Sequence, residues 1–174
     1  MIGPIVPFDA DALERHMDAF AALLVDAVEG GASVNFMLPF SLGEARAFWR
    51  GIVPAVAAGR ILLFAALDGD QVVGTVQLQL AWQPNQTHRV DVAKMLVHSK
   101  ARRQGIGRAL MAAAEKAALA HGRTLLTLDT QAGGGEHLYL GLGYTQVGVI
   151  RGYARYPEGP MGDAIIFYKT LSTA

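Results

Sequence analysis

The run from Asp91 to Arg108 constrains this chain more than any other. An apolar strand closes at Val97 and a short basic connection follows. Arg102-x-x-Gly105-x-Gly107 then opens a long helix rich in alanine, leucine and methionine. A strand that passes through a glycine loop into a helix N-terminus can hold phosphate. Glycine lets the backbone come close, and the unpaired N–H groups of the first helical turn point at an anion. Arginine adds charge that does not titrate. No acidic residue occurs between Val92 and Ala114, whereas Lys94, Lys100, Arg102, Arg103 and Arg108 are cationic. The segment is expected to bind a phosphorylated cofactor.

Three kinds of phosphate loop compete for this pattern. A dinucleotide fingerprint needs a third glycine three residues after the second, and Leu110 stands there. A nucleoside-triphosphate loop needs Gly-Lys-Ser or Gly-Lys-Thr, which the sequence lacks. The third kind is similar to the pyrophosphate loop of acyl-CoA-dependent N-acyltransferases, Gln/Arg-x-x-Gly-x-Gly/Ala, matched by Arg102, Gly105 and Gly107. The loop alone suits a plain glycine turn before a helix equally well.

The flanks decide between these. Met95-Leu96-Val97 closes a strand just upstream, and Tyr139-x-x-x-Gly143-Tyr144 lies downstream. With these in order the chain resembles the GNAT superfamily of acetyltransferases from about Ile61 to Leu171, and its N-terminal third fits that family's first strand and helix pair. Gln83-Pro84-Asn85, Val92-Ala93-Lys94, Leu128-Asp129-Thr130 and Phe167-Tyr168-Lys169 look most like the tabtoxin-resistance acetyltransferases. The resemblance implies an α/β fold of the α+β type, a mixed and mostly antiparallel sheet of about seven strands flanked by about four helices. It implies acetyl-CoA as donor, entering between two neighbouring parallel strands that splay apart, here those ending at Val97 and Thr130. The implied acceptor is a small-molecule amine, of which an antibiotic or toxin-like amine is one kind. Two alternatives stay open: a protein or peptide amine as acceptor, and a non-catalytic acyl-CoA sensor.

Composition narrows the rest. At 174 residues the chain is read as one domain with a sizeable core. Zero formal net charge argues against nucleic acid as partner, because the positive charge is local. Without cysteine there is no disulfide, thiolate nucleophile or cysteine metal site, and the five histidines lack metal-ligand spacing. No metal is expected. The N-terminus lacks a secretory pattern and no apolar run could span a bilayer, so a cytoplasmic protein with no membrane partner is expected. A homodimer is left open.

Along the chain, Ile2 to Pro7 reads as an edge strand and Asp9 as the cap of one helix from Ala10 to about Glu29, ended by Gly30-Gly31. Ser41 and Glu44 form a capping-box signature for a helix towards Gly59, which Pro54 should kink or break. Ile61 to Leu67 and Gln71 to Trp82 flank a hairpin turn. A strand from about Thr87 to His98, a helix from Ile106 to His121, and a strand from Leu125 to Thr130 follow. The triple glycine 133–135 precedes a short helix bearing Tyr139. Two last strands, near Thr145 to Arg151 and Asp163 to Thr170, enclose a Gly/Pro-rich loop, Gly152 to Gly162, that could close over a site.

Amide formation from a thioester needs a deprotonated amine, a polarised carbonyl and a proton for the departing thiolate. The resemblance assigns the pyrophosphate to Arg102, Arg103, Gln104, Gly105, Ile106, Gly107 and Arg108. It assigns the pantetheine arm to Met95, Leu96 and Val97, with a bulge freeing a backbone N–H near Leu96 and Val97. It makes Tyr139 the general acid. It puts Asp91 where many family members carry a glutamate base; being one methylene shorter, Asp91 would act through water, unless it is only a solvated strand-edge carboxylate. Asp129 departs from the family pattern, which has an asparagine-bearing segment here. It ends a central apolar strand, where an unpaired carboxylate would be costly to bury, so it is a second candidate to bind or deprotonate the amine. Its plain alternative is a turn cap. Tyr144 and, with them, Trp49, Trp82, Tyr153 and Tyr156 read first as packing residues.

Overall fold

The computed structural model describes residues 3–172. Ile2, expected to begin the first strand, lies outside them. Strand β1 (Ile5–Phe8) leads through α1 (Ala10–Arg15), α2 (Met17–Glu29) and α3 (Leu42–Ala57) to the hairpin β2 (Ile61–Asp68) and β3 (Gln71–Leu80). Strand β4 (Arg89–Val97), α4 (Ile106–Ala120), β5 (Leu125–Gln131), α5 (Glu136–Gly141) and the hairpin β6 (Thr145–Arg155) and β7 (Met161–Thr170) complete the order. The seven strands form one sheet in the order β1-β2-β3-β4-β5-β7-β6. Only β4 and β5 run parallel; every other neighbouring pair is antiparallel. The mixed, mostly antiparallel sheet expected from the sequence is the fold observed.

The sheet is covered on both faces at its centre, which is why β3 reads as a nearly continuous buried run rather than an alternating one. One face packs Val76, Leu78, Val90, Leu126 and Phe167 against Leu110, Met111 and Ala114 of α4. The other packs Leu63 and Ala65 against Phe20, Leu24 and Trp49 of α2 and α3. Gly74 sets how closely α4 sits. A Cβ there would lie 2.9 Å from Ile106 Cγ2, 3.0 Å from Leu110 Cδ1 and 3.2 Å from the Leu96 carbonyl oxygen. Gly74→Ala is therefore expected to destabilise the fold by about 1–3 kcal/mol, read as a lower urea midpoint at unchanged slope. An unchanged midpoint would mean that α4 can shift freely.

The helical termini follow local chemistry. Asp9 Oδ1 accepts the Ala12 N–H at 2.7 Å, and Ser41 with Glu44 forms the expected reciprocal box, which holds the Glu44 carboxyl below its usual range. Three expectations are corrected. The single helix from Ala10 to Glu29 is two helices meeting at His16, whose ring nitrogen lies 3.0 Å from the Ala12 carbonyl and whose ring meets Phe8 edge-on. Of the kink or break expected at Pro54 the break does not occur, because α3 runs on to Ala57. The loop from Gly152 to Gly162 is mostly strand, because β6 and β7 pair past a bulge between Ile150 and Ala154 and leave only a tip around Tyr156–Pro160.

Candidate active site

The parallel pair β4–β5 is hydrogen-bonded only from Arg89 and Leu125 to Asp91 and Thr127. Beyond that register β4 continues to Val97 and β5 to Gln131 without pairing with each other, so the two strands splay apart as expected. A cleft of about 530 Å³ fills the fork. One wall is residues 92–97 of β4, the other is residues 129–131 of β5 and the glycine turn 133–135, and the C-terminal end of α2 with residues 32–35 closes the side.

The β4 wall carries a bulge. Thr75 pairs with Leu96 and Gln77 with Ala93, so Lys94 and Met95 together oppose Val76 alone. Lys94 takes the left-handed φ of 49° that such a bulge admits. The bulge was expected near Leu96 and Val97; these two remain paired with Thr75 and Gly74, and the residues without ladder partners are Lys94 and Met95.

At the far end of this wall, a short 3₁₀ turn (Ser99–Ala101) leads into the glycine loop. Asp26 of α2 clamps that turn, accepting the Ser99 N–H at 2.8 Å and the Ser99 hydroxyl at 2.6 Å. Arg102 through Gly105 are exposed, with left-handed φ at Arg103 and at Gly105 (83°), where only glycine is unstrained. Helix α4 then begins with no side-chain cap and no acidic residue in its first turn, unlike α1 and α3, which are capped by Asp9 and Ser41. Its first N–H groups are thus open to an outside acceptor, which fits a phosphate. Ile106 is buried in the core, and a Cβ on Gly107 would crowd Leu138 at 3.2 Å, so both could offer only backbone. Arg102 lines the cleft and donates to the Val97 carbonyl at 3.3 Å. Of the residues expected to hold a pyrophosphate Arg102 alone is in that lining; Arg103, Gln104, Gly105, Ile106, Gly107 and Arg108 lie outside it, and Arg108 turns towards the Gly141 carbonyl at 3.4 Å.

The two candidate carboxylates differ in setting. Asp91 sits at the crotch of the fork, outside the cleft lining; one of its oxygens accepts from Arg89 Nη1 at 2.6 Å and from the Thr127 hydroxyl. Asp129 lies in the cleft wall and is exposed, which corrects the expectation of a buried carboxylate. Among the described residues its side chain has no ion pair or hydrogen bond, so it is not a turn cap.

Tyr139 lines the cleft although it is only 5% exposed, its ring set edgewise to Tyr144 with centroids 5.7 Å apart. The Gly135 backbone packs so close to that ring that a Cβ would lie 3.0 Å away. Burial, reinforced by the Asp129 charge, pushes the Tyr139 phenol well above its usual pKa, so it keeps its proton. Tyr144 and Trp49 are core residues and Trp82 is exposed away from the cleft. Tyr153 and Tyr156 wall a smaller recess beside the cleft, which shares Asp129, Ser33, Asn35 and Gln131 with it. The sequence reading missed Ser33, Asn35 and Gln131 altogether and took Lys94 as one more cation of a basic stretch and as part of a family-like tripeptide, with no role in the cleft. The available signal was that Lys94 interrupts an otherwise apolar strand end. Among the described residues, no cluster of three or more His, Asp or Glu side chains is placed to hold a metal ion, and no helix is long and apolar enough to cross a membrane.

Comparison with known proteins agrees with this geometry. The family model for an acetyltransferase (GNAT) domain matches residues 59–146, half of the chain. An N-acetyltransferase of Azospirillum brasilense, described as uncharacterized and encoded in the hisH-hisA intergenic region, is 32% identical over 108 residues. That match takes in 61% of this chain and 62% of the relative, so the chain spans less than two thirds of the relative's length. Among solved structures, an N-acetyltransferase from Staphylococcus aureus Mu50 superposes with a TM-score of 0.79 at 16% identity, covering 99% of each chain. A ribosomal-protein-alanine N-acetyltransferase from Brucella melitensis does so with a TM-score of 0.76 at 20% identity, covering 96% of this chain and 99% of its own. At such identities these two speak for the fold alone.

Proposed function

This chain belongs to the GNAT acetyltransferase family, and on that premise we propose that it transfers an acetyl group from acetyl-CoA to the amine of a small molecule. The observation that carries the reading is the continuity of one cleft, from Arg102 in the connection that leads to the uncapped end of α4, along the bulged edge of β4, to Asp129 and Tyr139. The donor supplies an activated acyl group. Every other part falls to the chain's own residues.

The open N–H groups at the start of α4, with Arg102 and Arg103, hold the pyrophosphate. The edge of β4 from Met95 to Val97 aligns the pantetheine arm, and the backbone freed at the bulge polarises the thioester carbonyl. Asp129 receives the acceptor's ammonium and takes its proton. Tyr139 hands its own proton to the departing sulfur. Asp91 braces the fork through Arg89 and Thr127. The narrow recess behind Asp129, walled by Tyr153, Tyr156 and the tip of the β6–β7 hairpin, favours a compact acceptor over a polypeptide segment. An antibiotic or toxin-like amine is one such acceptor, supported by the short stretches that resemble tabtoxin-resistance acetyltransferases.

Acetyl-CoA at a hundred times its Kd is expected to stabilise the fold by about 2.7 kcal/mol, raising the melting temperature by roughly 5–10 °C. The double variant R102E/R103E should lose most of that shift while melting alone as the wild type does, since both side chains are exposed. Release of free CoA with an amine panel then tests transfer itself. No thermal shift at millimolar acetyl-CoA would sink the reading.

A further inference from the structure

The cleft contains a cation that the transfer chemistry leaves without a task. Lys94 sits in the bulge, lines the cleft and is half-buried. Its ammonium lies 5.2 Å from the centroid of the Phe48 ring. Among the described residues it forms no ion pair and donates no hydrogen bond. Asp129 lines the same cleft and its charge is felt by Lys94, yet the two form no salt bridge. Desolvation lowers the Lys94 pKa, and Asp129 offsets this only in part. A half-buried ammonium that meets an aromatic ring but no anionic partner carries a desolvation cost that an arriving anion recovers in part. The donor's phosphates belong at the other end of β4, beyond Val97. From Lys94 to Val97 alone is about 10 Å of strand, too far for one side chain to serve both places.

Resting on the acetyl-transfer reading above, we propose that Lys94 forms an anion subsite in the acceptor half of the cleft, so that the acceptor carries a carboxylate or a similar acidic group beside its amine. Asp129 takes the ammonium end and Lys94 the acidic end. No salt bridge joins the two side chains, so each charge is left to meet its counterpart on the acceptor. The Phe48 ring, outside the cleft lining, steadies the Lys94 ammonium.

The test is a CoA-release assay with acetyl-CoA and a panel of amino acids and aminophosphonates, each beside its amide and its decarboxylated amine. Wild-type protein should favour the acids in kcat/KM by about 10- to 100-fold, the range for a hydrogen bond to a charged partner. Lys94→Met should level that ratio by raising KM for the acids alone, and Lys94→Arg should keep it. A melting curve for Lys94→Met at or above wild type excludes misfolding, since the substitution keeps the stem and removes a desolvated charge. Amides or plain amines accepted as well as the acids would overturn the proposal. So would acetyl-CoA binding with no acid of the panel turned over, or a Lys94-dependent preference for succinyl-CoA over acetyl-CoA, which would move the anion to the donor. Failure to bind acetyl-CoA at all is a separate outcome: it removes the acetyl-transfer reading, and this proposal with it.

Discussion

Replacing Tyr139 by phenylalanine is expected to lower turnover by about 10²- to 10⁴-fold, the usual contribution of a positioned general acid, with little change in acetyl-CoA affinity. The substitution removes one oxygen from a ring that is otherwise fixed by Tyr144, Phe167 and the Gly135 backbone, so the fold should survive it. The raised pKa sets the pH behaviour. The active form is the protonated phenol, and burial moves its loss upward from the ordinary value of about 10. An alkaline fall in kcat below pH 10 is therefore not expected from this group. Single-turnover measurements would separate the chemical step from product release. Wild-type rates for Tyr139→Phe in a single turnover would return Tyr139 to the core packing that its 5% exposure also suits.

The parts of the site that were legible in sequence are those set by local chemistry. Gly105 before an uncapped helix, and the apolar strand closing at Val97, announce an anion site because backbone geometry and charge are written in adjacent residues. The cap at Asp9 and the Ser41–Glu44 box were readable for the same reason. What the sequence could not give is set by distant partners. The apolar spacing from Leu13 to Val28 runs without a break, so nothing in it marks His16, where the ring meets Phe8 of another element. The glycines and proline of 152–162 read as a loop. In the fold, Gly162 instead lets the Tyr156 ring lie on the β7 backbone, where a Cβ would stand 2.5 Å from it. The side of the cleft formed by residues 32–35 comes from a connection with no chemical pattern of its own. It reaches the site because Ser33 donates its N–H to Gln131 across the fork at 2.5 Å.

The two carboxylates should separate in a double-mutant cycle. Asp129→Asn is expected to cost about 10²- to 10⁴-fold in kcat with acetyl-CoA binding intact, because the amide keeps the shape in an exposed cleft wall and loses both charge and basicity. Asp91→Asn should cost far less in kcat. Its carboxylate already serves Arg89 and Thr127 outside the cleft, and an amide can still accept from both. Its loss should register first as reduced stability of the fork, since Arg89 then keeps its charge without an acidic partner. Thr127 and Asp129 are about 6.6 Å apart along one face of β5, and Thr127 holds Asp91, so the pair is close enough to couple. If Asp91 acts on the amine through Asp129, the double variant will be no slower than Asp129→Asn alone. If the effects add, Asp91 works independently of Asp129. A crippled Asp91→Asn beside an active Asp129→Asn would reverse the roles, making Asp91 the base despite its place at the crotch of the fork.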